Sequence, residues 1–161
     1  MRLACIRAKS STQAPLAAAL ANLLWLTERE DLKMAGVDLV VPVPQFLTRR
    51  LARPHHTAET ISRVLAQRLE RPHSRTLLRK IRFTADQSEL TVEERRVNLK
   101  NAFTVWPRAQ SLIGKTVLLV DDILTTGSTA NECARTLRRA GAKQVLVAVI
   151  AKVTVDSHVK T

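Results

Sequence analysis

Two adjacent carboxylates, Asp121 and Asp122, close a short apolar run, Thr116-Val-Leu-Leu-Val120. Two residues later the chain turns small and polar, with Thr125, Thr126, Gly127, Ser128 and Thr129 in succession. An amphipathic pattern follows, with Ala130, Cys133, Ala134 and Leu137 at helical spacing. Strand, loop and helix in this order aim several backbone N–H groups at one point before a helix N-terminus. Orphan amides and the helix dipole both favour an anion there, and phosphate is the usual one. The hydroxyls of Thr125, Thr126, Ser128 and Thr129 add donors, and Gly127 permits positive φ and close backbone approach. The loop holds no Gly-Lys-[Ser/Thr] and no G-x-G-x-x-G, so neither a Walker loop nor a dinucleotide fingerprint explains it. Two acids beside a phosphate cradle suit a sugar phosphate: the amides take the phosphate, and the acids take ribose hydroxyls or a hydrated Mg2+.

The elements that must position this loop can be read from periodicity. Strand 116–121, helix 128–140 and strand 144–150 form one βαβ unit, with Gly141 as helix C-cap and a right-handed crossover expected. Upstream, residues 13–27 read as a core helix, with Leu16, Leu20, Leu23 and Leu24 on one face. Residues 37–43 are almost entirely apolar, as in a buried parallel strand, and Pro42 and Pro44 end its ladder. A basic loop with Arg49, Arg50, Arg53, His55 and His56 leads into a helix over 57–70, with Thr57 as N-cap and Ala58, Ile61, Leu65 and Leu69 facing inward. Short strands are expected at 75–80 and 101–105. Between them, residues 81–100 are polar and charged. Thr91-Val-Glu-Glu94 has capping-box spacing, so a short helix starts there. Long connections of this kind are often lids. Residues 154–161 read as frayed. No repeat, low-complexity tract or linker divides the chain, which reads as one domain over 1–161 with its core at about 6–152. In such a fold ligands sit outside the carboxyl ends of the strands, where the loops after 37–43, 75–80 and 116–121 can converge.

Composition narrows the partners. Apolar residues make up 45% and charged residues 25% of 161, as in an ordinary soluble globular protein. The net charge is +12, and residues 49–100 hold 13 Lys or Arg against 6 acids. A solvated basic surface and a polyanionic partner, whether nucleic acid or a pyrophosphorylated substrate, both fit that charge. Aromatics are only 3%, with no Tyr, which weakens a base-stacking account of single-stranded nucleic-acid binding. Cys5 and Cys133 form no C-x-x-C pair and the four histidines no H-E-x-x-H, which argues against a zinc ribbon or disulfide framework and for a reducing, cytoplasmic setting. Arg2, Arg7 and Lys9 precede an apolar stretch from Pro15 to Leu26, superficially like a targeting peptide. The stretch is too short for a membrane span, Asn22 interrupts it, and Glu28-Arg29-Glu30-Asp31 follows, so no membrane association is expected.

The run from Val117 to Thr129 resembles the phosphoribosyl pyrophosphate (PRPP) motif of type I phosphoribosyltransferases. The chain also resembles the ComF family, phosphoribosyltransferase-like proteins linked to competence and DNA uptake. Ile6-x-x-Lys9, Val41-Pro-Val-Pro44, and Gln87-x-x-Leu90 with Glu94-Arg95, Asn98 and Ala102-Phe103 carry that likeness alongside the loop, over roughly residues 6–152. Three departures stand out: no four-cysteine zinc module is present, Arg53-Pro-His-His-Thr57 replaces an Arg-Gly-Phe-Asn-Gln segment, and Asn101 stands where Gly is expected.

The resemblance implies an α/β fold, a single domain with a mostly parallel twisted sheet flanked by helices and a minimal hood. It implies transfer of ribose 5-phosphate from PRPP to an acceptor, with release of pyrophosphate. Asp121 and Asp122 would be the catalytic pair, holding the ribose hydroxyls and, indirectly, Mg2+. Thr125, Thr126, Gly127, Ser128 and Thr129 would hold the 5-phosphate of PRPP or ribose 5-phosphate. Arg53 would serve the pyrophosphate side, and Lys9 is either a further ligand there or a surface charge. Arg82, Gln87 and Arg95 would belong to the lid, and a homodimer fits the family. The rival reading is a non-catalytic protein that handles single-stranded DNA in uptake, and a regulatory PRPP sensor is a third. The acceptor is not legible.

Overall fold

The computed structural model describes residues 14–44, 57–82, 84, 92–106 and 111–153. The element order is α1 (Ala14–Met34), β1 (Leu39–Pro42), α2 (Thr57–Leu69), β2 (Leu78–Lys80), α3 (Val92–Leu99), β3 (Phe103–Val105), β4 (Thr116–Leu124), α4 (Ser128–Arg139) and β5 (Gln144–Lys152). β4 is central and parallel to both neighbours, with Leu39↔Val117 on one side and Val117↔Val145 on the other. β1 is buried at all four positions, as is β4 over its first five, which is why both read as continuous apolar runs.

Outside β1, the chain at 72–74 adds a parallel bridge. The Val40 amide donates to the Pro72 carbonyl at 3.0 Å, and the Ser74 amide to the Val40 carbonyl at 3.0 Å. The chain thus leaves β1 through α2 toward one edge of the sheet and leaves β4 through α4 toward the other. Strand order reverses between β1 and β4, and the carboxyl ends of these two strands frame the crevice where this class of fold binds ligands.

Two apolar layers hold the sheet. On one face Ala17, Leu20, Ala21, Ile61, Leu65 and Ala66 of α1 and α2 meet Val40, Leu118, Val120, Ala148 and Ile150. On the other, Cys133 and Leu137 of α4 pack with Leu39, Val41, Val117, Leu119, Leu78, Leu99 and Phe103. Each fully buried leucine contributes about 1.5–3 kcal/mol. The inward faces expected for α2 and α4 are met at Ala58, Ile61, Leu65, Ala130, Cys133 and Leu137.

Several expectations are corrected. α1 extends seven residues past 27 because Glu28 to Asp31 are compatible with a solvated helix end; it stops before Gly36, at φ 61°. Leu23 is exposed rather than inward, since Ala17, Leu20 and Ala21 form the buried stripe. β4 continues to Leu124, beyond the expected end at residue 121. The strand expected at 75–80 does not join the parallel sheet. β2 instead pairs antiparallel with β3, Lys80 opposite Phe103, and α3 lies between them in the chain. Gly141 sits one residue past the C-cap, Ala140, at φ 104°. There the Ala142 amide donates to the Leu137 carbonyl and the Gly141 amide to the Arg138 carbonyl, the paired bonds of a Schellman ending. Among the described residues, no helix is long and apolar enough to cross a membrane.

Candidate functional site

The carboxylates lie inside β4 rather than beyond it. Asp121 is paired in register with Val149 and Ile123 with Ala151, so sheet hydrogen bonding fixes the backbone on both sides of Asp122. The Asp122 amide donates to Asp121 Oδ1 and the Ile123 amide to Asp122 Oδ1, both at 2.9 Å. Both side chains are half-buried. Asp121 makes itself felt on the α4 side of the sheet. The thiol of Cys133 is pushed up by burial, and the negative charges of Asp121 and Glu132 add to that.

The strand then hands over to the loop. The Val153 amide donates to the Leu124 carbonyl at 2.8 Å, closing the sheet one residue before Thr125. Gly127 adopts φ 75°, ψ −2° as the N-cap of α4, and the Asn131 amide makes the first helical bond to its carbonyl at 2.8 Å. No N-cap side chain satisfies the first amides of α4. Thr126 and Ser128 share a hydrogen bond between hydroxyls at 2.9 Å, and the Ser128 amide makes a long 3.4 Å contact with Thr126 Oγ1. Among the described residues, a Cβ on Gly127 would meet Asn131 Nδ2 at 3.7 Å and Leu124 Cδ1 at 3.9 Å and nothing nearer. The glycine is therefore demanded by backbone conformation rather than by crowding from the protein. Thr125 is exposed and Thr126 to Thr129 are half-buried, as for a shallow anion cradle at a helix N-terminus. Gly114-Lys115-Thr116 also occurs in the chain, but it enters β4 at the opposite, amino end.

Two residues stand out that spacing did not single out. Lys80, at the end of β2, donates to Thr84 Oγ1 at 2.6 Å and lies 5.8 Å from the Phe103 ring centroid. Its positive charge reaches Cys133 and opposes that of Asp121, so a cation from the β2–β3 ribbon and an acid from β4 act on the same buried sulfur. Glu132, on α4, is buried; it accepts the Asn101 amide and pairs with Arg135. Neither carries a sequence signal, because Lys80 sits in a run of cations and Glu132 lies off the apolar stripe of its helix.

Of the residues assigned to a lid, Arg82 is exposed and donates to the carbonyls of Asn98 and Lys100, at 2.7 and 2.9 Å, closing the C-terminal end of α3. Arg95 lies on α3, with its side chain outside the described residues, and Gln87, Arg53 and Lys9 also lie outside them. The hood expected from the N-terminal segment falls on residues 1–13, outside them too.

Among the described residues, no group of three or more His, Cys, Asp or Glu could cage a metal. Adjacent carboxylates supplying oxygen alone do fit Mg2+, which binds through one or two carboxylates and completes its shell with water and substrate phosphates.

Comparisons with known proteins bear on the family and the fold. Residues 54–160 match the phosphoribosyl transferase domain model. Competence protein F of Haemophilus influenzae is 34% identical over 80% of the chain and 57% of its own length. DNA utilization protein YhgH of Escherichia coli O157:H7 is 33% identical over 86% of the chain and 61% of its own length. The chain therefore spans about three fifths of the length of these curated relatives. Among solved structures, adenine phosphoribosyltransferase from Saccharomyces cerevisiae, complexed with an imino-altritol bisphosphate and adenine, superposes with a TM-score of 0.53 at 19% identity. That match covers 86% of this chain and 69% of the yeast one, and it shows a shared fold. With about two thirds of its length inside the matched model, the chain belongs to the phosphoribosyl transferase domain family.

Proposed function

We propose that this protein binds PRPP with Mg2+ and transfers ribose 5-phosphate to an acceptor. The observation that carries this reading is the junction of β4 and α4. Two carboxylates at the carboxyl end of the central strand are followed, within five residues, by a left-handed Gly127 heading a helix to which this N-cap offers no side-chain hydrogen bond. The 5-phosphate sits on residues 125–129, and Asp121 and Asp122 receive the ribose hydroxyls. In the reaction the bond from C1 of the ribose to pyrophosphate breaks and its electron pair leaves with pyrophosphate. A bond from the acceptor nucleophile to C1 forms, and the acceptor proton is lost. Charge grows on the leaving pyrophosphate, so cations placed beforehand lower the barrier. Lys80, Arg53 and Lys9 are the chain's candidates for that side, and Mg2+, when bound, supplies further positive charge against the pyrophosphate oxygens.

Calorimetric titration with PRPP and Mg2+, followed by a pyrophosphate-release assay over purine, pyrimidine and amine acceptors, tests the proposal. Binding with release supports a transferase, whereas absence of PRPP binding contradicts the reading. The names of the relatives, Competence protein F and DNA utilization protein, favour a second reading in which the pocket serves a protein that handles DNA without turnover. PRPP binding with no pyrophosphate released from any acceptor points to that reading.

A further inference from the structure

Among the described residues, β5 is an outer strand of the parallel sheet, paired with β4 on one side and with no strand on the other. The Val153 amide donates inward to the Leu124 carbonyl. By the two-residue alternation of a strand, the amides of Ala151, Val149 and Val147 also turn toward β4. The N–H and C=O groups of Leu146, Ala148 and Ile150 therefore point away from the sheet, and among the described residues nothing bonds them there. Exposed edges are usually blunted by charges, a proline or a bulge. β5 carries no charge before Lys152 and no proline, and its register with β4 is constant. Val147 is 43% exposed.

Beside this edge, on the face that α1 covers, lies a cavity of about 350 Å3. Its apolar floor comes from Leu24 and Leu32 of α1 and from Leu118, Leu146 and Ala148 of the sheet. Glu28 and Asp31 line it too, three residues apart and so on one face of α1. Both acids are exposed, and among the described residues neither carboxylate is held in an ion pair. In a chain of net charge +12 they make a local acidic rim over an apolar floor.

Edge, floor and rim call for different things. Outward amides and carbonyls call for an extended backbone, the floor for aliphatic groups, and the rim for cations. A small organic cation would leave the edge unpaired, and an acidic segment would meet like charge at the rim. An added strand answers the edge with main-chain bonds and presents alternate side chains to the cavity. We infer that the outer edge of β5 and the groove beside α1 dock an extended basic segment of a partner protein, in which apolar residues alternate with Lys or Arg. The apolar residues cover Val147. The cationic residues lay their aliphatic stems on the floor and carry their charges to Glu28 and Asp31.

Fluorescence anisotropy of a labelled, end-capped (Val-Lys)4 peptide, titrated with the full chain, tests this. The peptide should bind, and unlabelled (Val-Glu)4 should not displace it, although the net charge of the chain favours the acidic peptide. Glu28→Gln with Asp31→Asn should weaken binding by about fivefold, the loss of two solvated ion pairs. A (Val-Lys)4 methylated on every backbone nitrogen offers the edge no donor and should not bind. Ala148→Pro removes one outward N–H while sparing the bonds to β4, and should weaken binding as well. Should the proline variant fail to fold, the exposed Glu28 and Asp31 positions still decide the matter.

No binding of (Val-Lys)4, or wild-type affinity after both acids are neutralised, would overturn the inference. Equal binding of the methylated peptide would overturn the strand pairing. Sedimentation showing a dimer that (Val-Lys)4 dissociates would assign the edge to a second copy instead. PRPP calorimetry of the Glu28→Gln, Asp31→Asn variant should match wild type, so failure here and failure of the transferase reading are distinguishable.

Discussion

The buried carboxylate of Glu132 accepts the backbone N–H of Asn101 at 2.8 Å, joining α4, the helix that follows the Thr125–Gly127 loop, to the turn between α3 and β3. Asn101 adopts φ 58°, a conformation that few residue types other than glycine and asparagine tolerate. The Asn found where the family pattern suggests Gly therefore preserves the turn, and Glu132 holds it in place.

Removing that acceptor should cost more than neutralising it. Glu132→Ala leaves the Asn101 amide and Arg135 without this partner, and a loss of about 1–3 kcal/mol is expected. Glu132→Gln keeps an acceptor oxygen and should lose less. Urea unfolding of both variants measures the difference. Equal stability of the two would show that the charge, not the acceptor, matters there.

Gly141 faces two demands at once. Its φ is 104°, and an added Cβ would lie 3.3 Å from Ile113 Cα and 3.1 Å from Ile113 Cγ1. Gly141→Ala should therefore destabilise the fold by about 1–3 kcal/mol. A thermal midpoint unchanged within error would contradict the close approach to residue 113.

His73 should make stability depend on pH. Its ring contacts Ser62 Oγ at 2.8 Å, and the Ser62 hydroxyl donates to the Glu59 carbonyl, so the serine oxygen accepts from His73 Nε2–H. Burial lowers the His73 pKa below 6.5, the nearby Arg63 and Arg75 charges lower it further, and Glu59 partly opposes them. In the window below 6.5 and above the folded value, the unfolded chain takes up a proton that the folded chain refuses, so stability falls as pH falls. The drop in urea midpoint between about pH 7 and about pH 5.5 should shrink in His73→Gln. The same drop in both proteins would mean that His73 is not its source.

Much of the site was legible because its signals are local. An apolar run, two acids, a glycine and an amphipathic stripe fall within about two dozen residues, and β4, the loop and α4 follow from them. Less local features were not legible. The acids read as a strand end because Ile123 and Leu124 owe their extended state to β5, which pairs with β4 from across the α4 crossover. The antiparallel pairing of β2 was not legible because nothing in Leu78-Arg-Lys80 names Phe103 to Val105 as its partner. Lys80 and Glu132 acquire their surroundings only through that packing.

The paired acids should matter for ligand and little for folding. Asp121→Asn with Asp122→Asn changes charge but hardly changes volume, and charge-assisted bonds contribute about 1.5–3 kcal/mol each. PRPP affinity should fall well over tenfold in calorimetry while the urea midpoint stays close to wild type. Undiminished affinity would reduce these carboxylates to solvation of the strand.

The cradle itself is tested most directly at Gly127. Valine there disfavours the φ of 75° that turns the loop into α4 and adds bulk on the side where a phosphate would lie. The substitution stands at a helix start, so its stability cost should be modest, about 1–3 kcal/mol. Calorimetry of Gly127→Val with three ligands gives the decisive comparison. PRPP and ribose 5-phosphate, which present the same 5-phosphate, should both cease to bind, while plain pyrophosphate should bind as it does to wild type. Retained ribose 5-phosphate binding, or an equal loss of pyrophosphate, would contradict the placement of the phosphate on residues 125–129.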